Sequence, residues 1–260
     1  MYIKNKCIWI YRNFQNFIIE VVKKLSEAAA RTDIETAQLK LAFSDSQKFI
    51  YENSSLNTLS FYGQAAVEKL RKHCLNNISS EGSLFEFGVF KGSSLNFFAD
   101  ILEKKNDKRI IIGFDSWKGF SEEWSGINNL YKVRTFDLRG GKPKVKKNTF
   151  LVDGFIEKTL PNYIEKNKID SIAFIHIDTD TYTPAKVVLT SLKPFFKSGT
   201  IILFDEFCGY PNWRSHEYKA LTEVLGPSEY EFLGFAQWSQ RDLIHSGNRA
   251  LLIKAAIRII

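Results

Sequence analysis

Two acidic tracts close apolar runs in the second half of the chain. FIHIDTD places Asp178 and Asp180 after one run of β-formers, and TIILFDEF places Asp205 and Glu206 after another. If the two runs are neighbouring strands of one sheet, their ends lie about 5 Å apart. Asp178, Asp205 and Glu206 then crowd onto one point, with no equal number of cations near them in sequence. Carboxylates that close disfavour one another's ionisation, and a divalent cation removes the conflict. An all-oxygen donor set selects Mg²⁺, Mn²⁺ or Ca²⁺ over zinc. These three acids are therefore the candidate metal ligands, with Mg²⁺ the expected ion. The alternative is a set of strand-end acids that cap helices and loops. Asp180 also reads as a helix-capping acid, since Thr183 and Pro184 can open the next helix.

A second constellation lies upstream. In SLFEFGVFKGSSLNFF a β-prone half meets a helix start, with Gly88 and Gly92 at the join. Glycines there permit positive φ and close backbone approach, and Ser93 and Ser94 can cap the helix. A phosphate loop needs Lys after its last glycine, but Lys91 precedes Gly92. A dinucleotide loop needs a second glycine where Phe90 stands. S-adenosylmethionine (SAM) carries a sulfonium and an ammonium and no phosphate. It suits an acid before the glycines, and Glu86, Gly88, Gly92 and Ser94 form that pattern.

Asp115 ends RIIIGFD, 23 positions beyond Gly92. That spacing suits a carboxylate accepting both ribose hydroxyls, although a strand-ending Asp is also an ordinary turn residue. Ser116 and Trp117 follow, and Trp117 is placed to stack on adenine. Asp153 ends FLVD and can accept from the adenine amino group, or make a plain Asp-Gly turn. These positions complete the candidate cofactor set.

The elements that must hold these residues are legible as a rhythm. From about residue 60, apolar runs (SLFEFGV, RIIIGFDS, TFLVDG, SIAFIHID, TIILFDEF) alternate with helical stretches. Such alternation predicts an α/β fold with a mostly parallel sheet and helices on both faces. YEFLGFAQWS and ALLIKAAI predict an antiparallel pair at one edge. A helix is expected over roughly 61–76. Before it, apolar residues at helical spacing predict an amphipathic helix over 8–25, packed on its own domain or offering a membrane-surface or dimer contact. The chain thus divides into a helical region, 1–60, and a catalytic domain, 61–260. RGGKPKVKKNT, with five basic residues in its first nine positions, is the expected mobile loop, solvated or serving as a lid over an anionic substrate.

With 260 residues, 44% apolar and 25% charged, the chain can bury a large core. Three scattered cysteines show no metal-ligand spacing and fit a reduced, cytoplasmic protein. No apolar run is long enough to cross a membrane. The net charge of +7 raises nucleic acid as a partner. Scattered lysines without an interleaved stacking motif argue against it.

FEFGVFKGSS, GFDSWKGF, VDGFIEKTLP, IHIDTDTYTPAKVVLTSL and SGTIILFDEF together resemble, in order, the motifs of class I SAM-dependent methyltransferases. They look most like the macrocin O-methyltransferase family over roughly residues 60–255. The resemblance implies a Rossmann-like, seven-stranded, mostly parallel sheet with an antiparallel edge strand. It implies methyl transfer from SAM to a hydroxyl of a sugar or glycosylated small molecule, assisted by a divalent metal. A phenolic or catechol acceptor, or an RNA methyltransferase or basic nucleic-acid binder, is the alternative. Carried over by position, Glu86, Gly88 and Ser94 match the cofactor loop, Asp115 the ribose acid, Asp153 the adenine contact, and Asp178, Asp205 and Glu206 the metal triad. The family usually has Asp-Asp where this chain has Asp205-Glu206. A His that serves as base after that pair in some relatives is replaced nearby by Cys208. Asp178 is the favoured base, Asp180 the second, and His216 and His245 outsiders.

Overall fold

Runs of β-branched and aromatic residues become inner strands because both faces of a parallel sheet are covered. The structure is a computed structural model and describes residues 20–24, 34, 36–63, 65–123, 135–237 and 252–260. It divides into two compact units, 1–41 and 42–260. In the first, residues 20–24 are helical, and the rest of the helix expected over 8–25 lies outside the described residues. A helix, α1, runs over 36–53, and its residues from 42 on belong to the second unit. There Phe49 packs on Trp213 and Phe207, and Asp45 accepts hydrogen bonds from Trp213 Nε1 and the Arg214 guanidinium.

The second unit is built on an eight-stranded sheet: β1 Leu59–Tyr62, β2 Ser83–Phe87, β3 Ile111–Asp115, β4 Thr149–Asp153, β5 Ile172–Ile177, β6 Ile201–Cys208, β7 Tyr230–Gln237 and β8 Ile253–Ile259. Their spatial order is β1-β7-β8-β6-β5-β2-β3-β4. All neighbours are parallel except β8, which runs antiparallel to both β6 and β7. The expected α/β sheet with an antiparallel strand is thus present, with one strand more. LSFY, expected at the head of a helix, is β1, an edge strand pairing β7, and the helix behind it, α2, spans Ala66–Asn77. β7 and β8 pair as expected, but β8 lies inside the sheet.

Alternation sorts the side chains onto two faces. Leu84, Ile111, Phe174, Ile201 and Leu203 join a core cluster with Leu70 of α2 and Leu95 and Phe98 of α3 (Ser93–Lys104). On the other face, Phe85 and Phe114 meet Tyr163 of α4 (Ile156–Lys166). α5 (Tyr182–Leu192) and α6 (Glu217–Val224) continue that layer. Chain order reverses between β2 and β5: β3 and β4 lie on one side of β2, and β5 begins the other. Ligands of open α/β sheets bind beyond strand ends at such a reversal.

The basic stretch 139–149 is stapled to α3. Asn96 exchanges side-chain hydrogen bonds with the Lys144 carbonyl and the Lys146 amide. Lys146 pairs with Asp100 and Glu103. Pro143 and Val145 cover Gly92 so closely that a Cβ there would sit 3.2 Å from Val145. The expected mobile loop is therefore a packed one.

Candidate functional site

At the reversal, β2 and β5 are drawn together by their backbones. The Asp178 amide donates to Phe87 O at 2.8 Å. Gly88 has φ +90°, and a Cβ on it would lie 1.7 Å from the Asp178 carbonyl oxygen. Only glycine fits that contact, so the requirement at Gly88 is packing against β5.

The loop after β2 hangs on Asp115. Its Oδ2 accepts from the Val89 and Phe90 amides at 2.8 and 2.7 Å, and its Oδ1 accepts from the Trp117 amide at 2.6 Å. Trp117 has φ +50°, which turns the indole under the loop. It is fully buried, and its Nε1 donates to Phe90 O at 3.0 Å. The expected adenine stacking by Trp117 is corrected accordingly, because no face of the ring is open. Ser94, expected as a cap or cofactor contact, instead donates to the buried carboxylate of Glu86. The α3 N-cap position is Gly92, with φ +76°. Asp153 is half exposed and pairs with Lys142 at 3.1 Å.

A cavity of about 280 Å³ opens at the strand ends, near the lower end of the range for small-molecule pockets, about 300–1,000 Å³. One part of its wall is Gly88, Asp115 and Ser116, and another, the acidic wall, is Asp178, Asp180, Asp205 and Glu206. Phe90, Phe114, Phe120, Phe136 and Phe155 supply apolar lining, and Glu157 lies at the β4 side. Of the expected cofactor residues, Glu86, Gly92, Ser94, Trp117 and Asp153 support or flank this cavity and do not line it.

The acidic wall is crowded. Asp178, Asp205 and Glu206 each offer an oxygen, all within 4.8 Å of one another. Burial, then the charges of Asp205 and Asp180, pushes the Asp178 carboxyl well above its usual range. Burial and the Asp205 charge raise Asp180 to about 7. Glu206 is raised by burial and by Asp180, with Asp205 and Asp178 adding to it. Asp205 is the exception: burial would raise it, but Lys254, His176 and Arg71 reverse that and hold it well below the carboxylate range. Lys254 Nζ donates to Asp205 Oδ2 at 2.9 Å and lies 3.6 Å from Glu206 Oε1. Arg71 Nη2 donates to Asp205 Oδ1 at 3.1 Å. Behind them, His176 Nδ1 lies 3.1 Å from Glu86 Oε1 and its Nε2 3.4 Å from Asp205 Oδ1.

A β-bulge makes this meeting possible. β6 and β8 are in register at Phe204–Ala255 and again at Cys208–Ile253. Asp205, Glu206 and Phe207 thus oppose Lys254 alone. The interrupted ladder relaxes strict alternation, so two consecutive acids can both serve the cavity.

Residues 85–207 match the model of a family described as a methyltransferase domain. The stretch from β2 to β6 is therefore similar to a methyltransferase domain. Among solved structures, the calicheamicin methyltransferase CalS11 is similar, with 26% identity and a TM-score of 0.55, over 74% of this chain and 78% of that one. An apo structure of CalS11, described as a TDP-rhamnose 3'-O-methyltransferase, has 25% identity and a TM-score of 0.49 over 74% and 77%. The O-methyltransferase NovP has 17% identity and a TM-score of 0.43 over 73% and 78%. No curated protein sequence matches the chain.

Near these acids in sequence there is no equal number of cations. Arg71 and Lys254 correct that, arriving from α2 and β8. The sequence signal for Lys254 is a lone lysine interrupting the apolar run LLIKAAI. Arg71, on a helix with several basic residues, gave none. Glu217, fully buried at the start of α6, accepts from the Glu206 amide at 3.3 Å and was also missed. Burial pulls His216 down to about 4 and pushes the Cys208 thiol up. Neither residue lines the cavity, and His245 lies outside the described residues. Among the described residues no helix is long and apolar enough to cross a membrane.

Proposed function

We propose that the protein is a metal-assisted O-methyltransferase that moves a methyl group from SAM to a hydroxyl of a sugar or glycosylated small molecule. The observation that carries this reading is the convergence of Asp178, Asp205 and Glu206 on the wall of a cavity that the glycine loop also lines. The donor set fits a hard cation. It is all oxygen, it is crowded enough to raise two of its members, and Glu206 Oε2 is buried without a hydrogen-bond partner. A bound divalent ion supplies Lewis acidity that makes an alcohol easier to deprotonate. SAM supplies the electrophilic methyl group.

The chain's own residues do the rest. Asp115 keeps a lone-pair site for a ribose hydroxyl while three amides fix its orientation. Ser116 and the phenylalanine lining enclose the cofactor's nucleoside, and Glu157, which lines the cavity where Asp153 does not, takes the role of acceptor for the adenine amino group. Asp178 holds the cation. Asp180, at about 7, can take the acceptor's proton near neutral pH. The similarity to the calicheamicin methyltransferase CalS11 supports a small-molecule acceptor.

The test is methyl transfer from labelled SAM to a panel of nucleotide sugars, catechols and RNA, with Mg²⁺ or with EDTA. Nucleotide sugars should be methylated in Mg²⁺ and not in EDTA. Asp178→Asn and Asp205→Asn, by removing ligands of the cation, should each abolish the metal-dependent rate while SAM binding persists. Full activity of both variants in EDTA would sink the metal-assisted reading, and methylation of catechols alone would reassign the acceptor.

A further inference from the structure

Lys254 has no part in the reading above, yet it is 8% exposed and sits on two of the three proposed metal ligands. Its placement is specific. The bulge in β6 sets three residues of that strand against this one position of β8. Arg71 and Lys254 together engage both oxygens of Asp205, while Glu206 Oε2 is left without a partner. Arg258, the other charged residue of β8, pairs with the part-exposed Glu231, but Lys254 is buried between two cavity acids.

We propose that Lys254 is a built-in counter-cation that holds Asp205 and Glu206 in ligand position and competes with the divalent ion for them. This rests on the metal-assisted reading and adds to it. Before loading, the ammonium keeps two buried carboxylates from facing one another uncompensated. On loading, the doubly charged ion and the ammonium share the same oxygens at close range, where like charges repel strongly in a poorly solvated setting. Lys254 thereby sets the affinity and keeps the ion exchangeable. Damage to packing at this position would weaken metal binding, whereas relief of competition tightens it, so the two roles give opposite signs.

The experiment is calorimetric titration of MnCl₂ into the full chain at fixed pH, for wild type and for Lys254→Met, Lys254→Gln and Lys254→Arg. The neutral variants should bind Mn²⁺ at least about tenfold more tightly than wild type, and Lys254→Arg should bind no more tightly. Without metal, Lys254→Met and Lys254→Gln should melt below wild type, and Mn²⁺ should close that gap. Wild-type binding with equal or weaker binding by both neutral variants overturns the competition and leaves the metal reading standing. No binding by any form at millimolar Mn²⁺ overturns both. If one neutral variant does not fold, the other gives the same readout. Failure of both to fold even in Mn²⁺ makes Lys254 a fold element that no ion replaces, and also overturns the proposal.

Discussion

The two walls of the cavity are held by opposite principles. On the glycine-loop side, the one carboxylate, Asp115, is satisfied by three backbone amides, and Trp117 is locked beneath the loop by its own hydrogen bond. On the acidic side, among the described residues, four carboxylates share the cations Arg71 and Lys254, and a buried Glu206 oxygen lacks a partner. One wall is finished before any ligand arrives, and the other is left electrostatically incomplete. A satisfied hydrogen-bond network holds geometry, whereas unrelieved charge draws in a counter-ion. Binding of the cofactor and binding of a cation should therefore respond to different perturbations.

The harshest way to break the contrast is to strike where the walls touch. Gly88→Ala puts a Cβ against the Asp178 carbonyl at a position with φ +90°. The backbone must move, and a loss above about 4 kcal/mol is expected, seen as a collapse of the urea midpoint together with both ligand affinities. Asp115→Asn should separate the walls. It exchanges a charged acceptor of three amides for an amide whose NH₂ faces a donor, at a cost of about 2–4 kcal/mol. SAH affinity should fall with it, and Mn²⁺ affinity should not; an equal fall in both would refute the separation.

A milder lever is pH. Asp178 and Glu206 are raised and Asp180 stands at about 7. The two raised ligands, Asp178 and Glu206, hold protons at low pH that a metal must displace, so Mn²⁺ affinity should rise with increasing pH and fade as pH drops. The Asp115 contacts are to amides that do not titrate, and SAH affinity should stay flat over the same range. The smallest effect is expected at Lys146, whose pairs with Asp100 and Glu103 are solvent-accessible. Lys146→Ala should leave the denaturant midpoint nearly unchanged, since exposed ion pairs are screened by solvent, and leave both affinities unchanged.

Much of this was legible in the residues, for reasons that also explain what was not. The inner strands announce themselves because burial on both faces forces unbroken apolar runs; IAFIHI and IILFDEFC are buried at every position. LSFY was hidden because an edge strand exposed at Leu59, Ser60 and Tyr62 carries no such run. The acids were legible because carboxylates rarely end buried strands without a purpose. Their cations were not, since Arg71 and Lys254 lie 134 and 49 positions from Asp205 in the chain. Trp117 shows a different limit. Its neighbours fix its place in the loop, but the sign of one backbone angle, φ +50°, decides whether the ring faces ligand or core.

The irregularity between Phe204 and Cys208 has a bearing on how this protein can be re-engineered. Excising Phe207, or inserting a residue beside it, would re-phase the strand and send one of the neighbouring acids to the far side of the sheet. Chimeras with relatives should be spliced outside 201–208. Length variation between homologues in that stretch would mark a change of chemistry more surely than a change of any single side chain.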